Sequence, residues 1–200
     1  ESIRKIKEET NIEVCFSFGL LKEEQLRKVR EAGATRAHCN LETSRRYFPE
    51  ICTTHTYDQK IETLKAAVAA GLSICSGGIM GLGETLEDRV DMVLTVKELG
   101  VRSVPVNFLN PIPGTPYEDN KPLTDEEARQ CVAVFRFIIP DASIRLSGGR
   151  GLLEDKGKEC FQSGANAAIS GDMLTTAGIT VQKDMEMLKD LGYKPQLWED

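Results

Sequence analysis

The sequence predicts an α/β fold in which about six strand–helix units build a parallel sheet. Two observations carry this reading. Six short apolar runs each end in a residue able to do chemistry: Cys15, Asn40, Cys75, Asn107, Arg145 and Ser170. Helical patterns precede almost every run and close on a glycine, at Gly33, Gly71, Gly100 and Gly164. Glycine just past a helix is a natural C-cap, because it takes the left-handed conformation without strain. Repeated helix–glycine–strand units are the sequence form of a parallel sheet. In a closed barrel the carboxyl ends of such strands meet in one mouth, so residues far apart in sequence become neighbours.

The elements follow in order. The first run, 12–15, closes on Cys15. A helix over 22–32 carries Leu26 and Val29 on one face and leads to the run 36–40. The helix 56–70 carries Ile61, Leu64, Ala67 and Val68, and the run 72–75 follows. Residues 76–85 are glycine-rich but hold neither a dinucleotide fingerprint nor a P-loop lysine. They suit either close backbone approach to a ligand or a tight turn. The helix 85–99 carries Val90, Val93, Leu94 and Val96 and precedes the run 104–107. The stiff stretch 110–116, with three prolines, then reads as a mouth loop. Thr124 with Glu127 forms a capping box. Its helix carries Cys131, Val134, Phe135 and Ile138 and stops at Pro140. The runs 142–145 and 166–170 come next, then a helix 182–191 with Met185, Leu188 and Leu191. Stripes at this spacing face a core.

No linker or low-complexity stretch interrupts the chain, so residues 1–200 are expected to form a single domain. A closed (β/α)8 barrel has eight units and about 250 residues. Six units fit the last three-quarters of such a barrel, with two N-terminal units lacking, or an open six-stranded sheet. The chain opens at Glu1 without a methionine and is expected to be part of something longer.

Composition narrows the function. The net charge of −6 disfavours a nucleic-acid surface, which needs a basic face. No stretch has the length of a membrane span, and no signal peptide is visible. The six cysteines include no close CxxC pair, which argues against a zinc ribbon. In a chain of this size they point to reduced thiols and a cytoplasmic setting. Cys131 and Cys160, near or on apolar helix faces, are expected to be structural, and Cys52 peripheral.

Cys15, Cys75 and Arg145 form one constellation. Two thiols from different strand ends suit a soft metal or an iron–sulfur cluster, although two buried cysteines also serve as small hydrophobes. Asn40 and Glu42 place an amide and a carboxylate at another strand end. Both suit ribose hydroxyls and amino groups; alternatively, Thr43 or Ser44 simply caps a helix there.

Several motifs together resemble the biotin synthase family of radical S-adenosylmethionine (SAM) enzymes. They are Cys15; Asn40-Leu-Glu-Thr-Ser44; Cys75-Ser-Gly-Gly-Ile-Met-Gly-Leu-Gly-Glu-Thr85; Ser103-Val-Pro-Val-Asn-Phe-Leu109; Ile144-Arg-Leu-Ser-Gly-Gly-Arg150; and Gly164-Ala-Asn-Ala with Gly171-Asp and Leu174-Thr-Thr176. The similarity runs in register along essentially the whole chain. It implies a TIM-type (β/α)8 barrel and the insertion of sulfur into dethiobiotin. It implies that Cys15, Cys75 and Arg145 are ligands of a sulfur-donating 2Fe–2S cluster. Asn40, Glu42, Lys60 and Ile79 would contact SAM, with Ile79 on the adenine side. Asn40 and Asn107 would flank the dethiobiotin ureido ring. Lys60 stands where the family carries an arginine for the SAM carboxylate, which keeps the charge and loses the bidentate fork. The family also implies a 4Fe–4S cluster, an electron donor such as flavodoxin or ferredoxin, and a homodimer of the complete protein. The CxxxCxxC loop that holds the 4Fe–4S cluster, and the fourth ligand of the 2Fe–2S site, do not occur in these residues. The isolated chain is therefore expected not to cleave SAM.

Overall fold

The computed structural model of the chain describes residues 1–172 and 178–196. It opens with helix α1 (Ser2–Glu9), followed by strand β1 (Val14–Phe16), α2 (Glu23–Glu31) and β2 (Ala34–His38). A single turn α3 (Phe48–Ile51) precedes α4 (Tyr57–Ala69), β3 (Ser73–Cys75), β4 (Gly78–Met80) and α5 (Leu86–Glu98). Then come β5 (Ser103–Phe108), α6 (Asp125–Ile138), β6 (Ser143–Leu146), α7 (Lys158–Gln162), β7 (Ala167–Ala168) and α8 (Val181–Asp190). The strands pair in the order β1-β2-β3-β5-β6-β7, with β4 also on β5, and every pairing is parallel. The sheet curls into a partial barrel with helices around it.

Six expected runs thus become seven strands, because β3 and β4 are one path broken at Ser76-Gly77. That break has a steric cause. A side chain at Gly77 would overlap the Pro105 carbonyl oxygen, so the two strands approach too closely there for any other residue. Residues 76–85 are therefore not a simple turn, since three of them, Gly78–Met80, pair with β5.

The two faces of the sheet differ. Phe16, Ala37, Ile74, Met80, Val104, Val106, Phe108, Ile144 and Leu146 are buried in the hydrophobic core. Their strand neighbours form the other set. Residues paired across a ladder point the same way, and the pairs Cys15 with Arg36, His38 with Cys75, Cys75 with Ser103 and Ile79 with Asn107 all belong to this second face. So do Ser103 with Ser143 and Arg145 with Ala167. Parallel strands packed on both faces usually read as continuous apolar runs. Here one face is polar, the composition of a sheet whose inner surface meets a ligand rather than a core.

The longer helices are set by their ends. Thr56, Thr85 and Thr124 each accept from the third backbone N–H of α4, α5 and α6, and the side chain of that third residue reaches back to the cap. Three expected core residues lie outside: Val68, Leu94 and Met185 are solvent-exposed, while Ala67, Met92 and Val93 fill the interface. The apolar stripes are narrower than the sequence pattern. α1 and α3 are not read from the sequence, because α1 sets only Ile3 against the core and α3 is one turn.

β1 and β7 end the sheet with unpaired edges, and Ile12, Phe18 and Ile169 beside them are exposed. Open edges flanked by apolar side chains pair with other chains. Residues 1–200 expressed by themselves will elute above monomer size in light-scattering chromatography. A clean monomer at micromolar concentration would show that these edges are protected.

Candidate active site

Cys75 ends β3 and is fully buried. Three neighbours converge on its sulfur. Arg145, on β6, donates through Nη2 at 3.0 Å, and Ser103, on β5, donates its hydroxyl at 3.6 Å. His38 Nδ1, on β2, lies 3.3 Å away. Arg145 also donates to Ser103 Oγ at 3.1 Å, which fixes the guanidinium across the strand ends. Burial opposes a thiolate here, but the His38 contact and the Arg145 charge outweigh it and hold the Cys75 thiol at about 7. The Nε of Arg145 is buried and has no partner. A cationic group with a spare buried N–H beside a thiol of lowered pKa can receive an anionic guest.

Cys15 lies on the edge strand β1 and remains accessible. Crowding on its protein side pushes its thiol up, the Cys75 sulfur adds to that, and Arg36 and Arg145 ease it. It therefore faces the same inner surface as Cys75 and Arg145. Among the described residues no group of three or more His, Cys, Asp and Glu side chains is placed to hold a metal ion. What the chain offers is two thiols and one guanidinium.

A second group sits above the first. Glu42 adopts φ +70°, a left-handed conformation that a side chain takes only under constraint. The constraint is visible: Glu42 N donates to Gly77 O at 3.1 Å and Ile79 N donates to Glu42 O at 2.9 Å. Its Oε2 is buried with no partner. Burial raises the Glu42 carboxyl, and Lys60, His38 and Asn40 pull it back. Lys60, on α4, is thus within electrostatic reach of Glu42, and its Nζ lies 5.9 Å from the centre of the Phe48 ring. Ile79 is half-buried on β4, beside Asn107 of β5.

Both asparagines brace the backbone. Asn40 Oδ1 accepts from Gly77 N at 3.0 Å. Asn107 accepts from Gly148 N at 2.9 Å and donates to Gly78 O at 3.1 Å. Each retains a free amide N–H by its own inventory, so bracing and ligand contact are compatible.

Of the eight residues singled out by sequence, the structure puts Cys15, Cys75, Ile79, Asn107 and Arg145 on the second face of the sheet, Asn40 and Glu42 on the stretch after β2, and Lys60 on α4 within electrostatic reach of Glu42. It also brings in two that sequence reasoning missed, His38 and Ser103. Their signal was positional: His38 shares a strand face with Asn40, and Ser103 shares one with Asn107. Ser44 caps the turn that leads into α3, its Oγ accepting from Tyr47 N at 3.0 Å and its carbonyl from Phe48 N at 2.9 Å, and its hydroxyl also donates to Asp88 at 2.5 Å. Cys131 and Cys160 are buried in the core away from the site. Burial raises both thiols, Cys160 to about 12. Leu174, Thr175 and Thr176 lie outside the described residues.

Comparison with known proteins bears on this surface. A radical SAM superfamily model matches residues 1–96, and a biotin and thiamin synthesis associated domain matches residues 105–194. Biotin synthase 2 of Corynebacterium diphtheriae is 61% identical over 96% of the chain, which covers 58% of that protein. The biotin synthase of Brachyspira hyodysenteriae is 57% identical over the whole chain, covering 60% of that protein. Over nearly its whole length the chain is similar to biotin synthases. It spans about 60% of the length of these curated relatives. Among solved structures, methylornithine synthase (PylB) superimposes with a TM-score of 0.82 over 98% of this chain and 62% of that one, at 21% identity. That likeness establishes the fold, a TIM-type barrel, of which six strand units are present here. The radical SAM superfamily match implies SAM and iron–sulfur cofactors.

Proposed function

We propose that the protein carrying this chain is a biotin synthase, which inserts sulfur into dethiobiotin. The observation that carries the reading is the cluster of Cys75, Arg145, Ser103 and His38, facing Cys15 and lying beneath an unpartnered Glu42 oxygen. When bound, SAM with a 4Fe–4S cluster would supply the radical, and a 2Fe–2S cluster the sulfur. The chain's own residues would do the holding. Cys15 and Cys75 would bind iron as thiolates. Arg145 would meet the cluster with its unpartnered Nε side and tune its charge. Glu42 Oε2 and Asn40 would accept from and donate to the ribose and amino group of SAM, Lys60 would pair with its carboxylate, and Ile79 would pack on its adenine. The free N–H groups of Asn40 and Asn107 would face the ureido carbonyl of the substrate. An electron donor such as flavodoxin or ferredoxin, a homodimeric complete protein and a cytoplasmic location belong to the same reading. No helix of the described residues is long and apolar enough to cross a membrane.

The test compares two buried cysteines in the full-length protein, purified anaerobically and reconstituted with iron and sulfide. Cys75→Ala will lose the visible absorption of the 2Fe–2S cluster, and Cys131→Ala will keep it. Equal loss in both variants would overturn the ligand assignment.

A further inference from the structure

Asp88 does more than cap α5. As the third residue of that helix it accepts from Thr85 N at 2.9 Å and from Thr85 Oγ1 at 3.0 Å, which completes the capping box. The equivalent residues of α4 and α6, Gln59 and Glu127, are exposed and bond only their own cap residue. Asp88 is buried and has two further partners from another part of the chain. Ser44 Oγ donates to its Oδ1 at 2.5 Å, and Arg46 grips the carboxylate with both Nε, at 3.0 Å, and Nη2. Ser44 Oγ in turn accepts from Tyr47 N at 3.0 Å. The Tyr47 hydroxyl then donates to Leu82 O at 3.1 Å, a second tie between the same segments.

These ties join two walls. Residues 40–47 carry Asn40 and Glu42. Residues 76–85 carry Ile79. The bridge between Glu42 and Gly78 holds the walls together near the sheet, and the Asp88 and Tyr47 ties hold them at the far end. We infer that Asp88 is a positioning residue, which through Ser44 and Arg46 sets the gap between the wall bearing Asn40 and Glu42 and the wall bearing Ile79. The inference rests on the reading of these walls as a SAM pocket. A capping role alone needs only Thr85. The bonds to Ser44 and Arg46 contribute nothing to the helix end and can be removed without touching it.

The experiment uses the full-length protein, reconstituted anaerobically, with SAM binding measured by calorimetry and turnover measured separately. A double variant, Ser44→Ala with Arg46→Met, removes the cross-ties and leaves the Thr85–Asp88 cap intact. Thr124→Ala removes the cap of α6 and serves as the destabilised control. The double variant is expected to raise the Kd and KM for SAM about tenfold, as the loss of charge-assisted hydrogen bonds would. Its kcat should stay within about twofold, and amide exchange over residues 76–85 should quicken. Thr124→Ala is expected to lower the melting temperature without changing SAM affinity. A double variant that binds SAM as tightly as the wild type would overturn the inference, and so would an equal loss of affinity in Thr124→Ala. If the double variant does not fold, Arg46→Met alone, at a largely exposed side chain, gives the same decision with an expected shift of about threefold. A reconstituted wild type that binds no SAM would instead overturn the pocket reading itself.

Discussion

Replacing Arg150 by Met will destabilise the protein by about 3–5 kcal/mol, the cost of leaving a buried charge without its partner. Arg150 and Asp184 are among the few buried charged residues, with side chains 2% and 5% exposed. The pairing is bidentate: Nη1 to Oδ1 at 2.9 Å and Nη2 to Oδ2 at 2.6 Å. Nη2 also donates to Ile169 O at 3.3 Å, and Ser170 Oγ donates to Asp184. The pair thus joins the loop after β6, the end of β7 and helix α8. Met at position 150 strands the Asp184 carboxylate in an apolar site. Adding Asp184→Leu removes that charge, and the double variant will recover most of the lost stability. Urea unfolding of the four proteins in the cycle measures this. A single-variant loss below about 1 kcal/mol would mean that α8 moves away and lets water reach Asp184.

The second large effect is expected at Gly78. A Cβ there would overlap both the Glu42 carbonyl oxygen and Met92 Sδ. Neither is easily moved. The carbonyl belongs to the bridge that keeps Glu42 left-handed, and Met92 is fully buried on α5. Gly78→Ala will therefore push β4 away from residues 40–42 and cost about 3 kcal/mol or more, the upper range for overpacking. For a domain of this size that lowers the melting temperature by roughly 6–12 °C. The same displacement separates Glu42 from Ile79, so ligand binding at that place should fall further than stability does. Gly171→Ala is the control, because a Cβ there meets nothing within 4 Å although φ is +86°. Gly78 has no positive φ, so equal costs for the two substitutions would mean that β4 shifts and relieves the crowding.

The order of units was legible because parallel α/β folds repeat a local signal. The pattern of apolar stripe, glycine cap and short apolar run recurs, and each part is dictated by residues within one turn or one strand of one another. Thr124 with Glu127 placed one helix start to the residue, and the helices read from Thr56 and Thr85 begin one residue later, at Tyr57 and Leu86. The break at Ser76-Gly77 was not legible, since it arises from the approach of Pro105, far along the chain. Val68 and Leu94 were misplaced for a related reason. Periodicity says which residues share a face, and only packing says how wide the buried part of that face is.

The sequence by itself determined the kind of fold, the candidate thiols and the family resemblance, because strand ends and motif order are linear properties. Tertiary structure decided what each candidate experiences. Cys15 and Cys75 read alike as residues ending apolar runs. In the fold one thiol is pushed up and the other pulled down to about 7, because only Cys75 has Arg145, Ser103 and His38 around its sulfur. The Arg150–Asp184 pair and the four-way meeting at Asp88 were likewise invisible in the chain. Electrostatic and hydrogen-bond energies depend on distances of a few ångströms between residues 34 to 70 positions apart, and no local pattern encodes those distances.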